Sequence, residues 1–177
     1  MDIFVEQIVK KAPNGKDTAK KILIVVGMCL ISALLAFVMM FIPAFAGIAF
    51  LLLFGVMYGG YYLITGVDVE YEYIVTNGEI DIDKIIAKRK RSRLITGKAS
   101  SFEAFGKYEN APDIDSSVTI VSAVGTSLSG AKTEEWYADF THASAGKVRL
   151  VFSAEDKVIE AIRPFLPRQI KVNLSKQ

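Results

Sequence analysis

Three hydrophobic patterns succeed one another along this chain, and each predicts a different element. In the first eleven residues Met1, Phe4, Val5 and Ile8 recur at helical spacing, with Asp2, Glu6 and Lys10 on the opposite stripe. This predicts a short amphipathic helix lying on a membrane surface. Ala12-Pro13-Asn14-Gly15 ends it. From Ile22 to Gly66 there is no Asp, Glu, Lys, Arg or His. A bilayer core about 30 Å thick takes roughly 20 helical residues, so this run predicts two spanning helices. The break falls in Phe41-Ile42-Pro43-Ala44-Phe45-Ala46-Gly47, where proline removes a backbone donor and glycine weakens a helix. The helices are placed at about 20–42 and 45–66. A chain of 177 residues has too little remaining sequence to cover two helices apolar all round, so they are read as lipid-facing.

From Val67 the period becomes two. Val69, Tyr71, Tyr73 and Val75 alternate with Glu70 and Glu72, and after Asn77-Gly78, Ile80 and Ile82 alternate with Asp81 and Asp83. Asn-Gly suits a type I′ turn because both of its central residues need positive φ. A two-residue turn pairs Val75 with Ile80, Tyr73 with Ile82 and Val69 with Ile86, so the apolar faces agree. Further strands read at about 91–97, 100–107, 117–123, 133–141 and 147–152, with loops at 110–115 and 126–131. Ser153-Ala154-Glu155-Asp156 reads as a capping box, followed by a helical stripe of Val158, Ile159, Ile162, Phe165 and Leu166. Trp136 is expected to be buried with Phe140, Leu150, Ile159 and Ile162.

Charge then orients the chain. Lys10, Lys11, Lys16, Lys20 and Lys21 precede the first apolar helix, and Lys84, Lys88, Arg89, Lys90, Arg91 and Arg93 follow the second. By the positive-inside rule both termini are cytoplasmic, in a multi-pass protein of the cell membrane. Tyr58, Tyr61 and Tyr62 suit an interfacial aromatic belt. The apolar run is far longer than a signal peptide's core, so no cleavage is expected. Mean hydropathy is +0.33 and the net charge is only +2, which gives no electrostatic case for nucleic acid. The segments are therefore 1–19, an amphipathic start and linker; 20–66, a transmembrane hairpin; and 67–177, a cytoplasmic domain.

Seven strands followed by one helix resemble a bacterial pleckstrin-homology-like domain over about 68–166, with Tyr73-Ile74-Val75-Thr76-Asn77-Gly78-Glu79-Ile80 at its first hairpin. The whole chain resembles a family of small two-pass proteins from Gram-positive anaerobes through Val69-Glu70-Tyr71-Glu72-Tyr73-Ile74-Val75-Thr76-Asn77-Gly78-Glu79-Ile80-Asp81-Ile82-Asp83-Lys84. The resemblance implies an α+β fold: a two-helix hairpin, then a mainly antiparallel β half-barrel capped by a C-terminal helix. It implies no activity. Pleckstrin domains that bind phosphoinositides use basic residues beside the loop joining their first two strands. With Asn77-Gly78 as that loop, followed by Glu79 and Asp81, the position is short and acidic and does not favour such a pocket.

Candidate chemistry is sparse. One histidine and one cysteine exclude the usual zinc sites, no cofactor motif is present, and Cys29 lies inside the apolar run, where a thiol is a poor nucleophile. Glu72 and Asp83 oppose each other across the first hairpin; a neighbouring Lys or Arg explains such a pair more simply than acid–base catalysis. Asp139, His142 and Ser144 have the residue types of a hydrolytic triad but crowd one loop, without a nucleophile elbow. Asn173-Leu174-Ser175 is a glycosylation sequon, without consequence in a cytoplasmic tail. Two features remain. Gly55 and Gly59 form a G-x-x-x-G whose partner is the first helix, through Ser32 and Ala36, or a second copy; the first is preferred. Lys88, Arg89, Lys90, Arg91 and Arg93 meet anionic lipid at about 1 kcal/mol each, or instead set topology and face Glu70, Glu72 and Asp83. The reading that follows is a non-enzymatic, membrane-tethered binding or scaffold module, without catalytic or metal-binding residues. Its partners are the bilayer, anionic head groups and an unidentified protein, and not nucleic acid. The alternative is a subunit of an oligomeric transport or export complex.

Overall fold

The computed structural model describes residues 2–174; Met1 of the N-terminal stripe and Ser175 of the sequon lie outside them. The described residues up to Ala12 and from Val69 onward form one compact unit, and Pro13–Asp68 forms another.

The helical unit contains α1 (Gly15–Phe41) and α2 (Ala46–Thr65), joined by a single 3-10 turn at Pro43–Phe45. Asn14 caps α1, its side chain accepting a hydrogen bond from the Asp17 N–H at 2.8 Å, so α1 starts before the apolar run and carries Lys16, Lys20 and Lys21 in two polar turns. Both helices are long and apolar enough to cross a membrane. No residue of α1 is buried, and in α2 only Ala49 and Gly60 are. Lys21 pairs with Asp68 at 2.9 Å, tying the start of α1 to the segment after α2.

The other unit is built from two sheets. The first has the order β4-β3-β2-β1-β7 and the second β5-β8-β9-β6. The strands are β1 (Phe4–Lys10), β2 (Val69–Thr76), β3 (Glu79–Ile86), β4 (Lys90–Lys98), β5 (Ala104–Lys107), β6 (Thr119–Ala123), β7 (Thr126–Ser127), β8 (Glu134–His142) and β9 (Gly146–Ala154), followed by α3 (Asp156–Ile162) and α4 (Arg168–Leu174). The sheets do not close into a barrel. All described pairings are antiparallel except β6 with β9. The first hairpin has the register its sequence predicts, Val69↔Ile86 through Val75↔Ile80, and Asn77 and Gly78 both have positive φ.

The N-terminal segment corrects the sequence reading. It is a strand, not an amphipathic helix, and it pairs along its whole length with β2, from Phe4↔Thr76 to Lys10↔Glu70. Val9 is fully buried in the core. The helical hairpin is therefore an insertion between two neighbouring strands of one sheet. The loop joining the first two strands is consequently not Asn77-Gly78; it is the entire hairpin.

Tyr73, Ile80, Ile82, Leu150, Phe152, Val158 and Ile162 form the centre of the core, with α3 packed against β1, β2 and β9. The buried Tyr73 hydroxyl donates to the Ala123 carbonyl and accepts from the Ser153 N–H, at 3.2 Å for the latter. Burial pushes this phenol well above its ordinary pKa. Trp136 is half-buried rather than buried and stacks on Phe105 with ring centroids 5.3 Å apart. The expected capping box does not form. Ser153 belongs to β9, its hydroxyl accepting from the Gly125 N–H at 3.0 Å, and Glu155 is the cap residue of α3 without a side-chain capping bond.

Candidate functional site

The hairpin of β3 and β4 carries the basic run. Its tip holds Ala87 and Lys88 with φ of 56° and 57°, and the Arg89 N–H closes the turn onto the Ile86 carbonyl at 3.0 Å. The left-handed region suits glycine or asparagine, not alanine or lysine. The register Val69↔Ile86↔Lys90 puts this tip at the same end of the sheet as Lys10 and Val69, the two points where the chain departs for and returns from the helices.

The five basic residues divide into two groups. Arg91 and Arg93 extend over the outer face of β2 and β3. Arg91 pairs with Glu72 and, at 3.4 Å, with Asp83. Arg93 bridges Asp83 and Asp81, each at 2.5 Å, and donates to Thr96 at 3.0 Å. Thr96 in turn donates to Asp81 at 2.6 Å. Burial by itself lowers the Arg93 pKa, but the carboxylates of Asp83 and Asp81 outweigh it and raise it. Glu72 and Asp83 lie opposite each other as expected, yet they are buried, 4% and 5% exposed, rather than solvated. Two carboxylates on one sheet face need these guanidinium groups above them. Lys88, Arg89 and Lys90 are all exposed, and Lys88 makes a loose 3.8 Å pair with Glu70. Lys84, half-buried, shares this end of the sheet.

The two glycines of the G-x-x-x-G lie apart from α1. A Cβ at Gly55 or Gly59 meets nothing within 4 Å, whereas one at Gly60 overlaps the thioether of Met28. The close approach of α1 is therefore at Gly60. Adjacent helix positions are about 100° apart, so the face bearing Gly55 and Gly59 is turned from α1.

The triad residues serve structural ends. Asp139 receives both the Nε and Nη2 of Arg149, at 2.7 and 2.5 Å, and Arg149 Nη1 donates to the Pro112 carbonyl at 2.6 Å. This pins the segment that crosses from β5 to β6. His142 bonds only locally, Nδ1 lying 3.2 Å from the Ser144 hydroxyl. A second polar cluster had no sequence signal. Gln7 on β1 donates to the Ser153 carbonyl at 3.1 Å and accepts from the Glu155 N–H at 2.9 Å. Glu155 accepts from Ser127 and Ser129 and pairs with Lys157 at 3.0 Å. Burial raises its carboxyl pKa, but the two hydroxyls and the ammonium hold it below the usual carboxylate range. Its members satisfy one another and fasten β1 to the end of β9. Among the described residues no cluster of His, Cys, Asp and Glu could hold a metal ion.

No curated protein and no solved structure matches this chain. A family model described as bacterial PH-like domain (DUF6106) matches residues 1–172. The matched span begins before β1, contains both helices and ends within α4, so the hairpin and the sheets that it interrupts fall inside one family unit. The chain belongs to the bacterial PH-like domain family.

Proposed function

We propose that this protein is a membrane-tethered, non-catalytic binding module with both termini cytoplasmic, whose PH-like domain presents the tip of the β3–β4 hairpin to anionic head groups. The observation that carries this reading is the position of that tip. Lys88, Arg89 and Lys90 stand at the sheet end from which the chain enters and leaves the apolar hairpin. Seven paired residues of β1 and β2 also hold the segments before and after the helices on one side of any membrane they cross, and the flanking lysines make that side the inner one. Anchoring is already supplied by the helices, so the basic tip sets the domain's attitude and adds about 1 kcal/mol per residue at the surface. Arg91 and Arg93 contribute less to this, being engaged by Glu72, Asp81 and Asp83.

The test uses the full chain with Cys29→Ala and an environment-sensitive dye on Ser92→Cys, reconstituted into bilayers. In anionic bilayers the emission should be blue-shifted relative to neutral ones. Replacing Lys84, Lys88 and Lys90 by Gln, or adding salt, should abolish the difference. Equal emission in the two bilayers would remove the lipid contact from the proposal.

A further inference from the structure

The two sheets end in edges of opposite character. The first ends at β4, where Lys90, Arg91, Arg93 and Lys98 lie along the strand and the register slips between Ile82 and Asp83, leaving Leu94 as the extra residue. Charge and bulges are the usual means by which an edge resists pairing with another chain. The second sheet ends at β6, which pairs only with β9, and in parallel. From Ser116 to Ala131 there is no charged residue and no proline. Thr119, Ile120 and Ser122 are exposed, Ile120 to 55%. No register slip interrupts the strand, and among the described residues no strand covers its outer edge. A row of backbone donors and acceptors is left there for another strand.

The two ends of β6 differ in charge. Asp113 and Asp115 lie just before it. Just after it, Gly125 packs so closely on the backbone of Lys10 and Lys11 that a Cβ would overlap the Lys10 carbonyl, and Lys10 pairs with Thr126. Two carboxylates therefore flank one end, and two lysines, of which Lys10 lies opposite Glu70, flank the other. Two such strands meeting antiparallel set the carboxylate end of each against the lysine end of the other. Parallel meeting sets like against like. A symmetric pair uses one patch twice, as closed dimers do.

We infer that β6 is a self-association edge: two copies of this chain pair β6 to β6 in antiparallel fashion, joining their four-stranded sheets into one continuous sheet. Opposed residues in an antiparallel pair share a face, so the symmetric registers place Ile120 opposite either Ile120 or Ser122 of the second copy. Confinement of both copies to one membrane raises their effective concentration and favours the contact.

The experiment uses the full chain with Cys29→Ala, reconstituted into bilayers at low protein density and mildly oxidised. Ile120→Cys for the first register, or the double variant Ile120→Cys/Ser122→Cys for the second, should give a disulfide-linked dimer several-fold more abundant than Ser92→Cys on the β4 edge. The double variant Ile120→Lys/Ser122→Lys opposes lysines in either register. It should lose the dimer in mild detergent while keeping its circular dichroism, because both positions are exposed. Cross-linking at 120 and 122 no greater than at 92 overturns the inference. So does a dimer that survives the double lysine variant but disappears with Gly59→Leu, which would assign association to the helices.

Discussion

The helical hairpin and the double-sheet unit place their apolar residues in opposite ways. In the sheet unit Tyr73, Ile82, Leu150, Phe152 and Ile162 are almost wholly withdrawn from the surface, and single atoms decide how close two backbones come. In the hairpin Leu23, Leu30, Phe50, Leu51 and Phe54 are more than half exposed, and among the described helix residues only Ala49 and Gly60 are enclosed. The first region carries its own apolar environment; the second requires one from outside. Substitutions should therefore be costly in the sheet unit at positions that look ordinary in sequence, and mild on the outward face of the hairpin at positions that look like a motif.

The largest effect should come from taking away one or the other region. A chain lacking residues 2–10 exposes the edge of β2, uncovers the core beside Val9, and loses the clip from Gln7 to Ser153 and Glu155. It should show no cooperative unfolding transition. A chain in which an Asn-Gly turn joins Lys10 directly to Glu70 keeps every sheet element and drops the hairpin. It should be soluble, β-rich by circular dichroism and cooperatively folded. If both chains melt alike, the partition into two independent regions is wrong.

Next comes a matched pair of glycines. Gly125→Ala forces a Cβ into the Lys10 carbonyl and should cost about 1–3 kcal/mol, as overpacking does. Gly55→Ala meets open space and should leave thermal stability in detergent within about 0.5 kcal/mol. Equal losses would mean that the hairpin face is packed.

The basic run offers a smaller contrast. Arg91→Gln strips the ion pair from buried Glu72. Breaking a buried pair costs about 3–5 kcal/mol, but with Arg91 half exposed roughly 1–2 kcal/mol is expected. Lys90→Gln should be neutral by the same denaturation measurement. The smallest change is a gain: Ala87→Gly relieves a left-handed residue and should stabilise by about 1 kcal/mol. A loss there would show that the tip is not strained.

The strands of the sheets were largely readable because their apolar residues alternate, and Asn77-Gly78 fixed one register unaided. The first strand was not. Its apolar residues come as the pairs Phe4-Val5 and Ile8-Val9, a four-residue repeat that reads as a helix. Its inward row contains Gln7, and its partner β2 lies beyond the whole hairpin. No local pattern can announce a neighbour so far along the chain. The partner of the G-x-x-x-G was unreadable for a related reason. The motif names a helix face, but which face meets α1 depends on the turn at Pro43–Phe45, and that turn directs Gly60 inward. The arginines were visible as charge, while their pairing with Glu72, Asp81 and Asp83 depends on strand register and on the slip beside Leu94.

The insertion of the hairpin between β1 and β2 also governs how the protein is made. The first strand leaves the ribosome long before the second. At about 5–20 residues per second, roughly 3–12 s of translation separate Lys10 from Val69. During that interval β1 has no sheet to join, while in the proposed topology both helices enter the bilayer. When β2 arrives, pairing fastens the two ends of the insertion together. From then on the amino terminus cannot be drawn across the membrane without tearing a strand from the middle of a sheet. In the proposed topology, folding of the sheet unit thereby makes the orientation of the helices irreversible.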